Sequence, residues 1–202
     1  IIVLRIGSKL NQTMKNKKTL IIGTGALATL FAARFSNAGA DVAMLGTWQD
    51  ALDALNHAGA HLIDAAGHET SYPVQALKKC QHADLALVLV KSWQTERAAD
   101  QLADCLAPDG LAITLQNGLG NDEILASALG WERVVQGVTT TGAALVAPGV
   151  VRAGGEGLVS LEAHARLGAF TALLTEAGFQ CEVVASAASL VWSKLVINTA
   201  IN

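Results

Sequence analysis

The run Gly23-Thr24-Gly25-Ala26-Leu27-Ala28, set between an apolar stretch and a helical pattern, constrains this chain more than any other feature. It matches G-x-G-x-x-G/A in the setting that the pattern requires, after a strand and at the start of a helix. Thr19 to Ile22 reads as a short buried parallel strand. Ala26 to Asn37 places Leu27, Leu30, Phe31 and Phe35 on one helical face, and Gly39 ends it. Asp41 to Leu45 reads as a second strand, which completes a βαβ unit with its right-handed crossover. Each small residue has a physical task. Gly23 permits the tight turn, Gly25 lets backbone approach a pyrophosphate, and Ala28 lets the helix lie close to the strand. The unpaired N–H groups and positive dipole end of the helix then face the phosphates. Alone, such a run is often only a tight turn; its context favours nucleotide binding.

Cofactor choice is usually reported at the end of the second strand, where an acid binds the ribose 2′-hydroxyl of NAD. Here the strand runs into Leu45-Gly46-Thr47-Trp48, and Asp41 lies at its other end. The missing acid points toward NADP, although no arginine stands there either.

Alternation continues along the chain. A pair of short strands is expected around Gly67 within His61–Val74, after a short helix over Gln49–His57. Ala83–Val90 and Leu111–Leu115 read as strands, each followed by a helix, over Thr95–Leu106 and Asp122–Leu129. Val134–Leu161 reads as consecutive strands, His164–Ala177 as an amphipathic helix, Gln180–Val184 as a last strand and Ala185–Asn202 as helical. The expected fold class is α/β, a Rossmann-type doubly wound sheet over 18–184, followed at 185–202 by the first helix of an all-helical C-terminal domain that is otherwise missing. Residues 1–17 are expected to be upstream or disordered sequence, with Met14 a candidate natural start.

Bulk properties exclude several classes. Fourteen basic against 17 acidic side chains give a net charge of −3, without the basic footprint of a nucleic-acid binder. No apolar stretch reaches membrane-span length. Cys80, Cys105 and Cys181 show no CxxC pair, so neither a disulfide framework nor a metal site is expected, and the plain reading is a reducing cytoplasm. The histidines at 57, 61, 68, 82 and 164 show no metal-ligand spacing.

Two polar residues, Lys91 and Asn117, follow strands at the edge where the glycine loop lies. In open α/β sheets, ligands sit outside the carboxyl ends of the strands. A solvated lysine and a turn asparagine are the bland alternatives. Lys194, Asn198 and Asn202 recur every four residues in an apolar helix, each step rotating only about 40°. A polar stripe of this kind suits a cleft, with Trp192 and Val196 opposite and available for packing; a solvated stripe is the alternative.

Together these segments resemble the ketopantoate reductase (2-dehydropantoate 2-reductase) family. The resemblance rests on GTGALA, Val90-Lys91-Ser92-Trp93-Gln94, Leu115-Gln116-Asn117-Gly118-Leu119-Gly120, Gly137-Val138-Thr139-Thr140-Thr141 and Trp192-x-Lys194 with Asn198 and Asn202, in that order. It implies NADPH-dependent reduction of 2-dehydropantoate to pantoate, on the route to coenzyme A. Carried over, it makes Lys194 the proton donor and lets Asn198 and Asn202 hold the substrate. Asn117 would contact cofactor and substrate, Lys91 would lie at their junction, and Ala144 would touch the cofactor through its backbone. Residues Gly23 to Ala28 would cradle NADP(H). The sequence departs from the family where a basic residue often follows the second strand, for Thr47-Trp48 stands there. The family's later serine and glutamate are expected beyond Asn202, so this piece is expected to bind dinucleotide weakly and to turn over poorly. The expected partners are a small 2-keto acid and the missing helical domain, with room for a homodimer and with no nucleic acid or membrane. Two rival readings stay open: a reductase of another keto acid or imine, and a non-catalytic dinucleotide sensor.

Overall fold

A computed structural model describes residues 17–201, with side chains through residue 196. The earlier segment with Met14, the side chain of Asn198, and Asn202 lie outside the described residues.

Strand β1 (Lys18–Ile22) is flanked in parallel by β2 (Asp41–Leu45) and β6 (Ala83–Val88). Outward from β2 lies β5 (Gln75–Leu77). Outward from β6 lie β7 (Leu106–Thr114), β8 (Val134–Thr139), β11 (Leu158–Glu162) and β12 (Gln180–Val184). All neighbours in this eight-stranded sheet are parallel except β8 and β11.

The apolar runs follow from burial on both faces. Ile21, Met44, Leu87 and Ile113 enter one core; Leu20, Ile22, Leu45, Val88 and Ala112 enter the other. Helix α1 (Ala26–Asn37) covers the first face with Phe31 and Phe35, and α2 (Gln49–Ala58) adds Leu52 and Leu55. Phe31 stacks on Phe179 at 4.3 Å, and the Arg34 guanidinium lies 4.7 Å over the same ring. Helices α3 (Thr95–Cys105) and α4 (Asn121–Leu129) cover the second face through Ala98, Leu102 and Leu125. Helix α5 (Gly168–Glu176) buries Phe170 against α1, and α6 (Ala188–Ile201) lies beside β8.

A second sheet was not foreseen. It orders β4 (Glu69–Tyr72), β3 (Ala60–Ile63), β10 (Val150–Ala153) and β9 (Ala143–Ala147), and packs on α1. The expected hairpin around Gly67 is present as β3 and β4, but β3 also pairs in parallel with β10 from far along the chain. Local periodicity carries no signal for such a pairing.

One further strand and two element starts also differ. β5 was not expected. β7 begins at Leu106 rather than Leu111, because Leu106 pairs with Ala83 across an irregular step and Arg133 donates to the carbonyls of Leu106 (2.9 Å) and Ala107 (2.7 Å). α5 begins four residues after His164, because His164–Leu167 folds as a turn with Leu167 N–H donating to His164 O at 3.1 Å.

The cysteine expectation is corrected. Cys80 and Cys105 form a disulfide, with Cα atoms 5.9 Å apart, and Cys181 is free. Helix α3 returns along β6 and ends beside the loop that enters it, so residues 25 apart in sequence meet. Spacing alone could not show this. Burial raises the remaining thiol, Cys181, to about 11, with Glu182 adding to the effect. Among the described residues, no helix is long and apolar enough to cross a membrane, and no group of His, Cys, Asp and Glu could hold a metal ion.

Candidate functional site

The strand order turns back between β1 and β6, and the helices that follow these two strands leave to opposite faces. Ligands of open α/β sheets lie in the crevice at such a reversal.

Gly23 makes the turn at φ +126°, and its N–H donates to Leu45 O at 2.8 Å. A Cβ there would stand 3.2 Å from Leu89 O, tight against backbone. Gly25 is the N-cap of α1 in extended conformation, and no side chain caps the helix. A Cβ on Gly25 would meet nothing within 4 Å, so open space lies before the first-turn amides. That is an anion-binding arrangement. Ala28 is buried at the strand, as close packing requires. Thr24 is buried as well, and lies so near Gly46 that a Cβ on Gly46 would be 2.7 Å from its methyl.

Two cavities flank this turn. One, of about 190 Å³, lies on the β2 side between Gly23–Gly25, Thr47, Trp48 and the exposed rim of α3. The other, of about 260 Å³, lies on the β7 side and is lined by Gly25, Ala26, Leu27, Ser92, Gln116 and Asn117. Gly25 and Lys91 line both, so Lys91 stands where the cavities meet. Ala143 also lines the second cavity, whereas its neighbour Ala144 is exposed and does not.

A hydrogen-bonded network fixes the β7 side. Gln116 Nε2 donates to Val90 O and to Thr95 Oγ1, both at 2.9 Å, and Thr114 Oγ1 donates to Gln116 Oε1 at 3.0 Å. Thr95 Oγ1 donates to Asn121 Oδ1 at 2.9 Å. Asn121 Nδ2 donates to Asn117 O at 3.2 Å, and Ser92 Oγ to the same oxygen at 2.9 Å. Thr95 and Asn121 are buried, so each bond is expensive to lose. The loop carrying Asn117 is therefore held from three elements.

The Lys194 ammonium donates to Thr139 O, the last residue of β8, at 2.5 Å. Because β1, β6, β7 and β8 are parallel, Thr139 and the glycine turn share one edge of the sheet. Three strand spacings put them roughly 14 Å apart across that edge. Burial pushes the Lys194 ammonium below the usual lysine range. The helix turns Ala187 and Val191 into the protein together with Lys194, and exposes Trp192 (56%) and Val196 (64%). Those two residues were expected to pack. Among the described residues nothing covers them, because Val191 and Lys194 take the inward face.

The structure thus brings Gly23 to Leu27, Lys91 and Asn117 together at the cavities, and Lys194 to the same edge. Sequence reasoning missed Trp48, Gln94, Arg97 and Gln101, all in the lining of the β2-side cavity. Gln94, Arg97 and Gln101 do recur at helical spacing, but a solvated helix face has the same pattern.

A family model described as "Ketopantoate reductase PanE/ApbA" matches residues 19–166. A "2-dehydropantoate 2-reductase" of Archaeoglobus fulgidus is 35% identical over 197 residues, covering 94% of this chain and 63% of that relative. A PanE/ApbA family ketopantoate reductase structure from Ralstonia eutropha superposes with TM-score 0.83 at 28% identity, over 90% of this chain and 61% of that one. A ternary structure of D-mandelate dehydrogenase with NADH and anilino(oxo)acetate shares the fold, with TM-score 0.81 at 22% identity over 90% of this chain and 61% of that one. This chain therefore spans less than two thirds of the length of each.

Proposed function

This chain belongs to the ketopantoate reductase family, and on that premise we propose that it carries the dinucleotide site of an NADPH-dependent enzyme that reduces 2-dehydropantoate to pantoate. The two cavities suit a dinucleotide laid across the glycine turn. The β2-side cavity takes the adenosine and the β7-side cavity the nicotinamide, with the pyrophosphate against the α1 amides. Lys91 lies at the junction, and Asn117 faces both cofactor and substrate from its fixed loop. Residues 18–184 form the cofactor domain. Residues 185–202 begin a helical substrate domain, which would cover Trp192 and Val196; Asn198 and Asn202 would hold substrate groups, and the Ala144 backbone would approach the cofactor.

When bound, the reduced nicotinamide supplies a hydride. As the new C–H bond forms at the ketone carbon, the carbonyl electron pair moves to oxygen. The Lys194 ammonium stabilises that charge and gives up a proton to it. Its depressed affinity for protons makes it a readier donor near neutral pH than an exposed lysine. The observation that carries this reading is the Lys194 ammonium anchored at Thr139, on the sheet edge where the glycine turn lies.

Lys194→Ala in the full-length protein tests it. NADPH oxidation with 2-dehydropantoate is expected to slow about 10²- to 10⁴-fold, with the KM for NADPH changing only a few-fold. Unchanged turnover would remove Lys194 as the proton donor, and no turnover by the unaltered full-length protein would support the sensor reading. Preference for an unbranched 2-keto acid over 2-dehydropantoate in a substrate panel would support a different reductase.

A further inference from the structure

We propose that Arg97 recognises the adenosine 2′-phosphate, reaching the β2-side cavity from α3 rather than from the turn after β2. The inference rests on the dinucleotide reading above and assigns the source of its NADPH preference.

The turn after β2 has neither the acid that would accept a ribose 2′-hydroxyl nor a base that would pair with a phosphate; it offers Gly46, Thr47 and Trp48. Arg97 lines the same cavity. The lining of this cavity contains two cations, Lys91 and Arg97, and no carboxylate, in a chain whose net charge is −3. The β7-side cavity likewise has no acid, and Lys91 is its one cation. Positive charge is thus concentrated at the cleft against the sign of the whole molecule, which favours an anionic ligand.

The two cations divide by position. Lys91 lines both cavities, beside the glycine turn where a pyrophosphate would lie, and a pyrophosphate is common to NADH and NADPH. Arg97 lines only the β2-side cavity, so its charge falls where the two cofactors differ. Three other arginines have structural work: Arg34 over Phe179, Arg133 on the carbonyls of Leu106 and Ala107, and Arg166 on Asp109 O and Glu132 O. Arg97 makes no ion pair or hydrogen bond among the described residues, and its five donors remain available. A planar guanidinium matches a phosphate dianion in bidentate fashion. Thr47, in the same lining, can donate a hydroxyl, and the exposed face of Trp48 suits an adenine ring.

The frame that presents Arg97 is rigid. Ala98 and Ala99 are buried against the sheet. The start of α3 is tied through Thr95 to Asn121 and Gln116, and its last residue is bonded to Cys80. A helix anchored at both ends holds the backbone that carries Arg97 in place before a ligand arrives.

The test is NMR titration of this chain with 2′,5′-ADP, 5′-AMP, NADPH and NADH, which reads weak as well as tight binding. The chain is expected to bind 2′,5′-ADP about 10- to 100-fold more tightly than 5′-AMP, the range of a charged hydrogen-bonded pair. Arg97→Ala and Arg97→Gln should bring that ratio close to one, leave 5′-AMP and NADH affinities unchanged, and leave the thermal midpoint unmoved because the side chain is exposed. Arg97→Lys should restore part of the ratio. A ratio that survives in both neutral variants overturns the inference. Equal affinity of the unaltered chain for NADPH and NADH overturns it too, but leaves the dinucleotide reading standing. No binding of any of the four ligands overturns both.

Discussion

The two cavities that meet at Lys91 are built by opposite means. On the β7 side, six side-chain hydrogen bonds among Ser92, Thr95, Thr114, Gln116 and Asn121 lock the loop of Asn117 to its neighbours. On the β2 side, Thr47, Trp48 and Arg97 are exposed and stand on a frame held from beneath. The difference fits the role proposed for each half. Hydride transfer would depend on close orientation, which a closed polar network can supply. Discrimination between two adenosine phosphates would depend on one charge, which an exposed arginine can supply.

Gly23→Val should strike both halves at once and have the largest effect. It forces a β-branched residue to φ +126° and sets its Cβ 3.2 Å from Leu89 O. A loss of roughly 2–4 kcal/mol in urea unfolding is expected, with dinucleotide binding abolished in both cavities. Thr95→Val should separate the halves. It leaves buried Asn121 and part-buried Gln116 each short of a partner, at about 1–3 kcal/mol. The NADPH affinity should fall more than the 2′,5′-ADP affinity, because the β7 side loses its network while α3 keeps its second anchor at Cys80–Cys105; an equal loss of both would show that the network serves the whole cleft.

The smallest expected effect comes from Lys194. Burial disfavours its charged form, so its proton affinity in the folded state lies below the ordinary value of 10.5. Below the folded pKa the ammonium is charged in both states, and folding bears the desolvation cost. As pH rises through the folded pKa toward 10.5, the unfolded chain holds more protons and that cost fades. Stability should therefore gain slightly across this alkaline window relative to Lys194→Met, measured by urea unfolding at stepped pH. A Lys194 titration at or above 10.5 by NMR would remove its advantage as a donor over an exposed lysine.

Much of this was legible in the chain. The residues from Thr19 to Leu45 announced strand, turn, helix and strand because each signal is local: an apolar run, two glycines, a 3.6-residue period and a glycine stop. Lys91 and Asn117 could be placed at the carboxyl edge of the sheet because each stands three residues after a strand. Arg97 could not be singled out, since its neighbours at helical spacing look like any solvated face until they are seen to share a cavity with Thr47 and Trp48. The inward face of α6 was misjudged for a related reason. Trp192 is the larger apolar residue, yet the helix buries Ala187 and Val191 and leaves the tryptophan exposed.

By itself, then, the sequence determined the order of most elements, the α/β class that their alternation implies and the glycine turn after the first strand, because the signals for these lie within a few residues. Only the tertiary structure decided the second sheet, the Cys80–Cys105 bond, the Lys194–Thr139 contact and the charge facing the β2-side cavity. Those depend on which distant segments meet, and packing of the whole core selects such meetings while the local pattern of polar and apolar residues stays the same.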